Sequence, residues 1–198
     1  MIAPPDFFAL VQHQRAHRQF LDRPLEEAVI EQLLNAAIRA PSAENSQPWE
    51  FVVLRDAGQR ARLGDIMRRA WEGGARQWSA KRLPENLLAD VEQGMQGGIA
   101  SAPVLIVVCG NSQKALEATL AASVYPAVQN LLLAATALGL GSALTTLATH
   151  NEQEMRQLLN LPAHIKAMAV VPVGYPAKLL GVSKRKPLAE CVHWERFG

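Results

Sequence analysis

The sequence predicts one large domain, residues 1–198, that mixes helices with strands buried on both faces. Three observations carry that prediction. With 49% hydrophobic and 19% charged residues over 198 positions, the chain has the composition of a globular protein long enough to build a substantial core. Val104 to Cys109 is a nearly unbroken run of β-branched and apolar residues, the mark of a strand covered on both faces. Stretches such as Pro24 to Ala40 place apolar residues at helical spacing, so each has one stripe to bury.

Taken in order, Phe7 to Gln19 carries Phe7, Leu10 and Val11 on one stripe and reads as a helix running into a basic turn. Pro24 can open the next helix, Glu26 and Glu27 suit its positive first turn, and Pro41 stops it. Strand Glu50 to Leu54 and a helix over Ala57 to Arg69 follow. Residues 71–101 form an excursion with Gly73, Gly74, Gly94, Gly97 and Gly98 around a helical pattern at Glu85 to Glu92. It reads either as a mobile cover or as a surface helix with flexible joints. Ser112 to Leu138 is a long helical region that Pro126 kinks or divides, and 15 of the 21 residues from Leu120 to Leu140 are apolar. That is too many for one exposed face, so burial on most sides is expected, part of it from a second copy of the chain. Asn151 and Glu154 look like a capping box for a helix to Asn160, and Lys166 to Val173 reads as a third strand.

The formal net charge of +2 gives no whole-protein case for nucleic acid. Cys109 and Cys191 lie far apart without a metal or redox spacing, which suits buried thiols in a cytoplasmic protein. The N-terminus lacks the pattern of a secretory signal. Ser123, Pro126, Gln129 and Asn130 interrupt the most apolar region, so no membrane span is expected.

Four constellations carry possible chemistry. Pro41 to Phe51, P-S-A-E-N-S-Q-P-W-E-F, adds two amides, two hydroxyls and an indole to what a turn requires. A site for a flat, heteroatom-rich ligand and a plain helix-to-strand loop both remain open. Arg15 and Arg18, with His13 and His17, form either a phosphate clamp or a solvated charged face. His13 and His17 lack a third partner for a metal site, and none is expected. Gly139-Leu-Gly-Ser follows a helix and lacks the third glycine of a dinucleotide fingerprint. Either the segment lets backbone approach a ligand closely, with Thr145 and Thr146 offering hydroxyls, or Gly139 is simply a helix cap, which leaves Gly141 unexplained. Lys184, Arg185 and Lys186 would join the arginines only if the tail folds back. No hydrolase or phosphoryl-transfer motif is present, so a cofactor is the natural carrier of a reaction.

Q-R-A-H-R-Q-F at 14–20, A-P-S-A-E-N-S-Q-P-W-E-F, A-V-Q-N-L-L-L-A-A-T-A-L-G-L-G-S at 127–142, V-V-P-V-G-Y-P at 170–176 and the final R-K-P-L resemble the nitroreductase family of FMN-dependent flavoproteins. The resemblance implies an α+β fold, a central mixed but mainly antiparallel sheet flanked by helices, in an intertwined homodimer with two FMN sites at the interface. By similarity, Arg15, Ala16, His17 and Arg18 would hold the FMN phosphate and ribityl chain, helped by Arg185. Ser42, Asn45 and Gln47 would reach the flavin from the second subunit, and backbone at Leu144, Thr145, Thr146 and Leu147 would face it near N5. Gln14 and Ala16 depart from the family's R-R-S-x-R-x-F, and Thr146 stands where some members carry Glu. The implied activity is transfer of reducing equivalents from NADH or NADPH through FMN to a small aromatic, nitroaromatic or quinone-like acceptor, with no catalytic side chain. Other flavin chemistry, such as reductive dehalogenation or dehydrogenation, and FMN binding without turnover are the alternatives.

Overall fold

The structure is a computed structural model that describes residues 6–197; residues 1–5, on which the expectation of no secretory signal rests, and residue 198 lie outside it. Four strands form its sheet in the spatial order β1 (Trp49–Leu54), β2 (Val104–Asn111), β4 (Ile165–Gly174) and β3 (Gly141–Ser142), each pair antiparallel. An isolated parallel bridge from Ala16 to Ser142 and an antiparallel one from Phe20 to Pro176 lay residues 16–20 along the β3 edge of this antiparallel sheet.

The unbroken apolar run reads as expected. All eight residues of β2 are buried. Val104, Ile106 and Val108 point into one core and Leu105, Val107 and Cys109 into the other, the alternation a doubly covered strand requires. On β4 the parity changes. Ala167 and Val170 share a core face although they are three residues apart, because the register with β2 slips between Val108 and Cys109. A bulge re-aims one end of a strand in this way.

Helices α2 (Glu27–Ala37) and α6 (Glu117–Ala137) cover the first face. Pro24 does not open α2, which begins at Glu27. Pro126 lies within a continuous α6; the carbonyl it deprives of a donor belongs to exposed Ala122, where water can serve it. Ser123 and Thr136 donate their hydroxyls to the carbonyls of Thr119 and Leu132, at 2.9 and 3.0 Å. Within one chain α6 is covered on one side only: Ala118, Ala121, Ala122, Tyr125 and Gln129 remain exposed, which is the share of the burial expected from a second copy of the chain.

On the other face lie α3 (Ala57–Ala70), the excursion and α7 (Glu152–Leu159). Asn151 caps α7 by accepting from the Glu154 amide, as its spacing suggested. The excursion holds α4 (Arg76–Ala80) and α5 (Glu85–Gln93), flanked by wide turns at Trp71–Ala75 and Gly94–Gly98. Gly74 and Gly97 take φ of 142° and 129° in those turns, which side-chain-bearing residues rarely adopt.

The first helix, α1 (Phe7–His13), ends where the basic run begins, and the residues expected to form a turn are instead extended, with residues 16–20 recruited to the sheet edge. Cys109 is buried, but Cys191 is exposed, contrary to the expectation of two buried thiols.

Candidate functional site

The basic strand and the segment after α6 meet at the β3 edge. His17 donates its backbone N–H to the Ser142 carbonyl at 2.9 Å. A Cβ on Gly141 would stand 2.9 Å from the His17 Cβ, which explains a glycine that helix capping alone does not; Gly139, at φ 70°, is the cap. The His17 imidazole is held below its usual range chiefly by burial, with the neighbouring Arg15 and Arg18 charges adding to the shift against a hydrogen bond to the Arg15 carbonyl.

Arg15 faces the tail. Its Nη1 donates to the carbonyls of Gly181 and Val182 at 2.9 and 3.3 Å, while Ser183 reaches Gln12. The tail therefore folds back as the basic cluster required, but Arg185 stays exposed and its Nη1 donates to the carbonyl of Lys184. Arg18 turns toward the excursion. Its Nη1 lies 2.5 Å from Asp90 Oδ2 on α5, with the arginine side chain only 18% exposed. Nothing in the sequence pairs these residues, 72 positions apart.

A few residues past Ser142, the chain builds the floor of a cleft of about 690 Å³. Leu144, Thr145, Thr146 and Leu147 line it on one side. Thr145 and Val170 exchange backbone hydrogen bonds of 3.0 and 2.8 Å, which fixes this floor to β4. Trp71, Trp78 and Met95 of the excursion line the other side, and His150 is the one titratable side chain among the described lining residues. The volume lies within the range of small-molecule sites. A polar groove of about 240 Å³ between α3 and α7 offers less, since Arg69 there is already paired with Glu154.

The loop of Ser42, Asn45 and Gln47 stands apart, on the α6 side. Among the described residues its hydrogen bonds run within itself and to Ser123: Ser42 Oγ accepts from the Gln47 amide at 3.0 Å, and Gln47 Nε2 donates to Asn45 Oδ1 at 3.2 Å. Glu44, Asn45 and Gln47 all take left-handed backbone, with φ of 54°, 54° and 47°. Such residues cost about 1–3 kcal/mol each and cluster at sites more than at ordinary turns. The sequence singled out the loop, the basic residues 15–18 and, through the family resemblance, residues 144–147; it assigned no part to Asp90, Gly94, Met95 and Gly98, whose contacts join distant segments.

The cleft supplies surfaces and the neighbouring strand supplies cations, but no activated nucleophile lines the cleft; burial pushes the Cys109 thiol up to about 12. Those features suit a protein that works through a bound cofactor. The chain belongs to the nitroreductase family, whose model matches residues 11–175. It is 32% identical over 194 residues to an NADH dehydrogenase of Thermus thermophilus, covering 91% of this chain and 92% of that one. It is 29% identical over 196 residues to human iodotyrosine deiodinase 1, covering 92% of this chain and 66% of the other. A protein designated a nitroreductase from Desulfovibrio desulfuricans, solved in complex with FMN, superposes with a TM-score of 0.72 at 26% identity, covering 96% and 97% of the two chains.

Proposed function

We propose that the protein is an FMN-dependent oxidoreductase that takes reducing equivalents from NADH or NADPH and passes them to a flat, electron-poor acceptor of the nitroaromatic or quinone type. The observation that carries this reading is one of continuity. Residues 141–147 bond to the cationic strand at their start and floor the aromatic-walled cleft at their end. A ligand with an anionic tail and a flat ring system matches that sequence of environments, and FMN is such a ligand.

The donor set fits the group. Arg15 uses one nitrogen on the tail carbonyls and Arg18 one on Asp90, which leaves guanidinium N–H groups on both for a phosphate or ribityl oxygen. FMN supplies the hydride and electron chemistry when bound, so the chain needs to bind and orient rather than attack. Leu144 to Leu147 present backbone held still by β4, and the exposed indole of Trp78 gives an electron-rich surface that would cover a nicotinamide and then an electron-poor acceptor in turn, with buried Trp71 in the same lining. Ala16 offers no hydroxyl, so its part is limited to backbone.

A homodimer belongs to the same reading. The uncovered face of α6 and the exposed Phe7, Phe8, Trp194 and Phe197 exceed the scattered apolar exposure expected of a monomer, and the strained loop of Ser42, Asn45 and Gln47 would reach a partner's cofactor site. A small-molecule enzyme with this composition and net charge has no evident need of nucleic acid or membrane, and a cytoplasmic location suits it.

Reductive deiodination is the competing chemistry. An iodotyrosine brings an ammonium and a carboxylate into the site, and unpaired charges are costly to bury. The described lining carries no Asp, Glu, Lys or Arg, which favours an uncharged acceptor. The test is stopped-flow reduction of the FMN-loaded protein by NADH and NADPH, followed by reoxidation with a quinone, a nitroarene and iodotyrosine. Bleaching within seconds and reoxidation by the first two is expected. Bound flavin that is not reduced would make the protein a binder without turnover, and reoxidation by iodotyrosine alone would make it a dehalogenase.

A further inference from the structure

The turn at 94–98 touches two places at once. A Cβ on Gly94 would stand 2.9 Å from the Arg18 Cδ, and one on Gly98 would overlap the Arg18 carbonyl oxygen. Met95, the next residue after Gly94, lines the cleft. Just before the turn, α5 is sewn to the cationic strand by Asp90 to Arg18 at 2.5 Å and by Gln93, whose Oε1 accepts from Gln19 at 2.6 Å. The wall of the cleft and the cationic strand therefore share one mechanical joint, at Arg18.

We propose that Asp90 is a positioning residue that competes with the cofactor for the Arg18 guanidinium, so that cofactor occupancy and the placement of the 85–98 wall are coupled. The inference rests on the flavin reading above. Arg18 cannot move far as a whole, because Gly94 and Gly98 press on its stem and backbone. Its guanidinium can reorient. A phosphate or ribityl oxygen that draws it away from Asp90, which is 43% exposed, would weaken the tie on α5, and by linkage the same amount of free energy would appear as weakened cofactor binding. Three other charges of the excursion are paired elsewhere, Arg76 with Glu92 and Glu72 with Arg68. An intact Asp90 thus costs some affinity and in return lets the bound cofactor loosen the wall through which an acceptor enters.

The test measures FMN dissociation constants for the full-length protein, Asp90→Asn, Asp90→Glu, Arg18→Ala and the double variant Arg18→Ala/Asp90→Asn, with hydrogen exchange of residues 85–98 with and without FMN. Asp90→Asn should tighten FMN about two- to fivefold, the range for a partly exposed ion pair. Asp90→Glu should return toward the wild-type value, and Asp90→Asn should change nothing when Arg18 is already Ala. FMN should raise exchange at 85–98 in the wild type and not in Asp90→Asn. A purely structural Asp90 would give weaker FMN binding by the same factor in both backgrounds, with no FMN-dependent exchange; that result overturns the coupling. Absence of FMN binding in all five proteins would instead overturn the flavin reading, and the coupling with it.

Discussion

The two walls of the cleft differ in how they are held. The 144–147 wall is part of the sheet's hydrogen-bond system: Thr145 exchanges two backbone bonds with Val170, and Ala148 just beyond is fully buried. The excursion wall is held by side chains. Arg60 donates to the carbonyls of Ala100 and Ala102, Asp90 takes Arg18, Arg76 takes Glu92, and Trp71, Met95 and Ile99 are sunk in the core, Trp71 at 2% exposure, while Trp78 stands 61% exposed. Backbone ladders resist displacement collectively, whereas a few exposed ion pairs contribute little each. The molecule thus pairs a fixed reference surface with an adjustable one.

The largest effect should come from the excursion's anchor. Trp71→Ala removes a buried aromatic side chain and should cost about 3–5 kcal/mol, lowering the melting temperature by about 6–20 °C for a chain of this size. A loss under one kilocalorie per mole would mean that the wall is not anchored there. Next, Gly98→Ala and Gly141→Ala set the two walls against each other, since each added methyl group meets a close neighbour and should cost about 1–3 kcal/mol. The adjustable wall can relieve its clash by moving off Arg18, so Gly98→Ala should raise hydrogen exchange across 85–98. Gly141→Ala should lower the melting temperature with exchange at 85–98 unchanged, and identical exchange maps for the two variants would erase the distinction.

His17, at the root of the fixed wall, gives a smaller, pH-dependent effect. Its folded pKa lies below the usual 6.5, mainly through burial, so the unfolded chain binds the proton more readily. Stability of the cofactor-free protein should therefore fall as pH drops below about 6.5 and level off once the folded imidazole is also protonated. Melting curves from pH 7.5 to 5 should show a steeper loss for the wild type than for His17→Gln; parallel curves would contradict the assignment. Smallest in stability is Trp78→Ala, expected within about 0.5 kcal/mol of wild type because the ring is exposed, with Arg82 stacked 3.9 Å from its centre. The same variant should raise the acceptor KM with little change in kcat.

What the sequence made legible follows the same division. Strand β2, α7 and the glycine cap after α6 announce themselves through local pattern and lie where their residues indicate, and α2 does so apart from its start at Glu27 in place of Pro24. Local pattern failed where distant backbone intervenes. Residues 14–19 read as a basic turn in isolation, but the Ser142 carbonyl claims the His17 amide and draws them out along the sheet edge. Gly94 and Gly98 look like flexible joints, and only the proximity of Arg18 reveals them as close-packing positions. The cationic strand and the 144–147 floor were both named from sequence, yet their junction through Gly141 could not be read without the fold. Asp90 carried no signal at all, because a single acidic residue on an exposed helix is ordinary until its partner is known.

The central claim is that the cleft and the cationic strand form one FMN site. The most direct measurement is the thermal stability of the flavin-stripped protein as FMN is added. At a hundredfold excess over the dissociation constant the gain should be about 2.7 kcal/mol, or about 5–11 °C, with Arg18→Ala shifting the required concentration upward by about 10- to 100-fold. A melting temperature that does not respond to FMN, or one that responds equally in Arg18→Ala, would contradict the account.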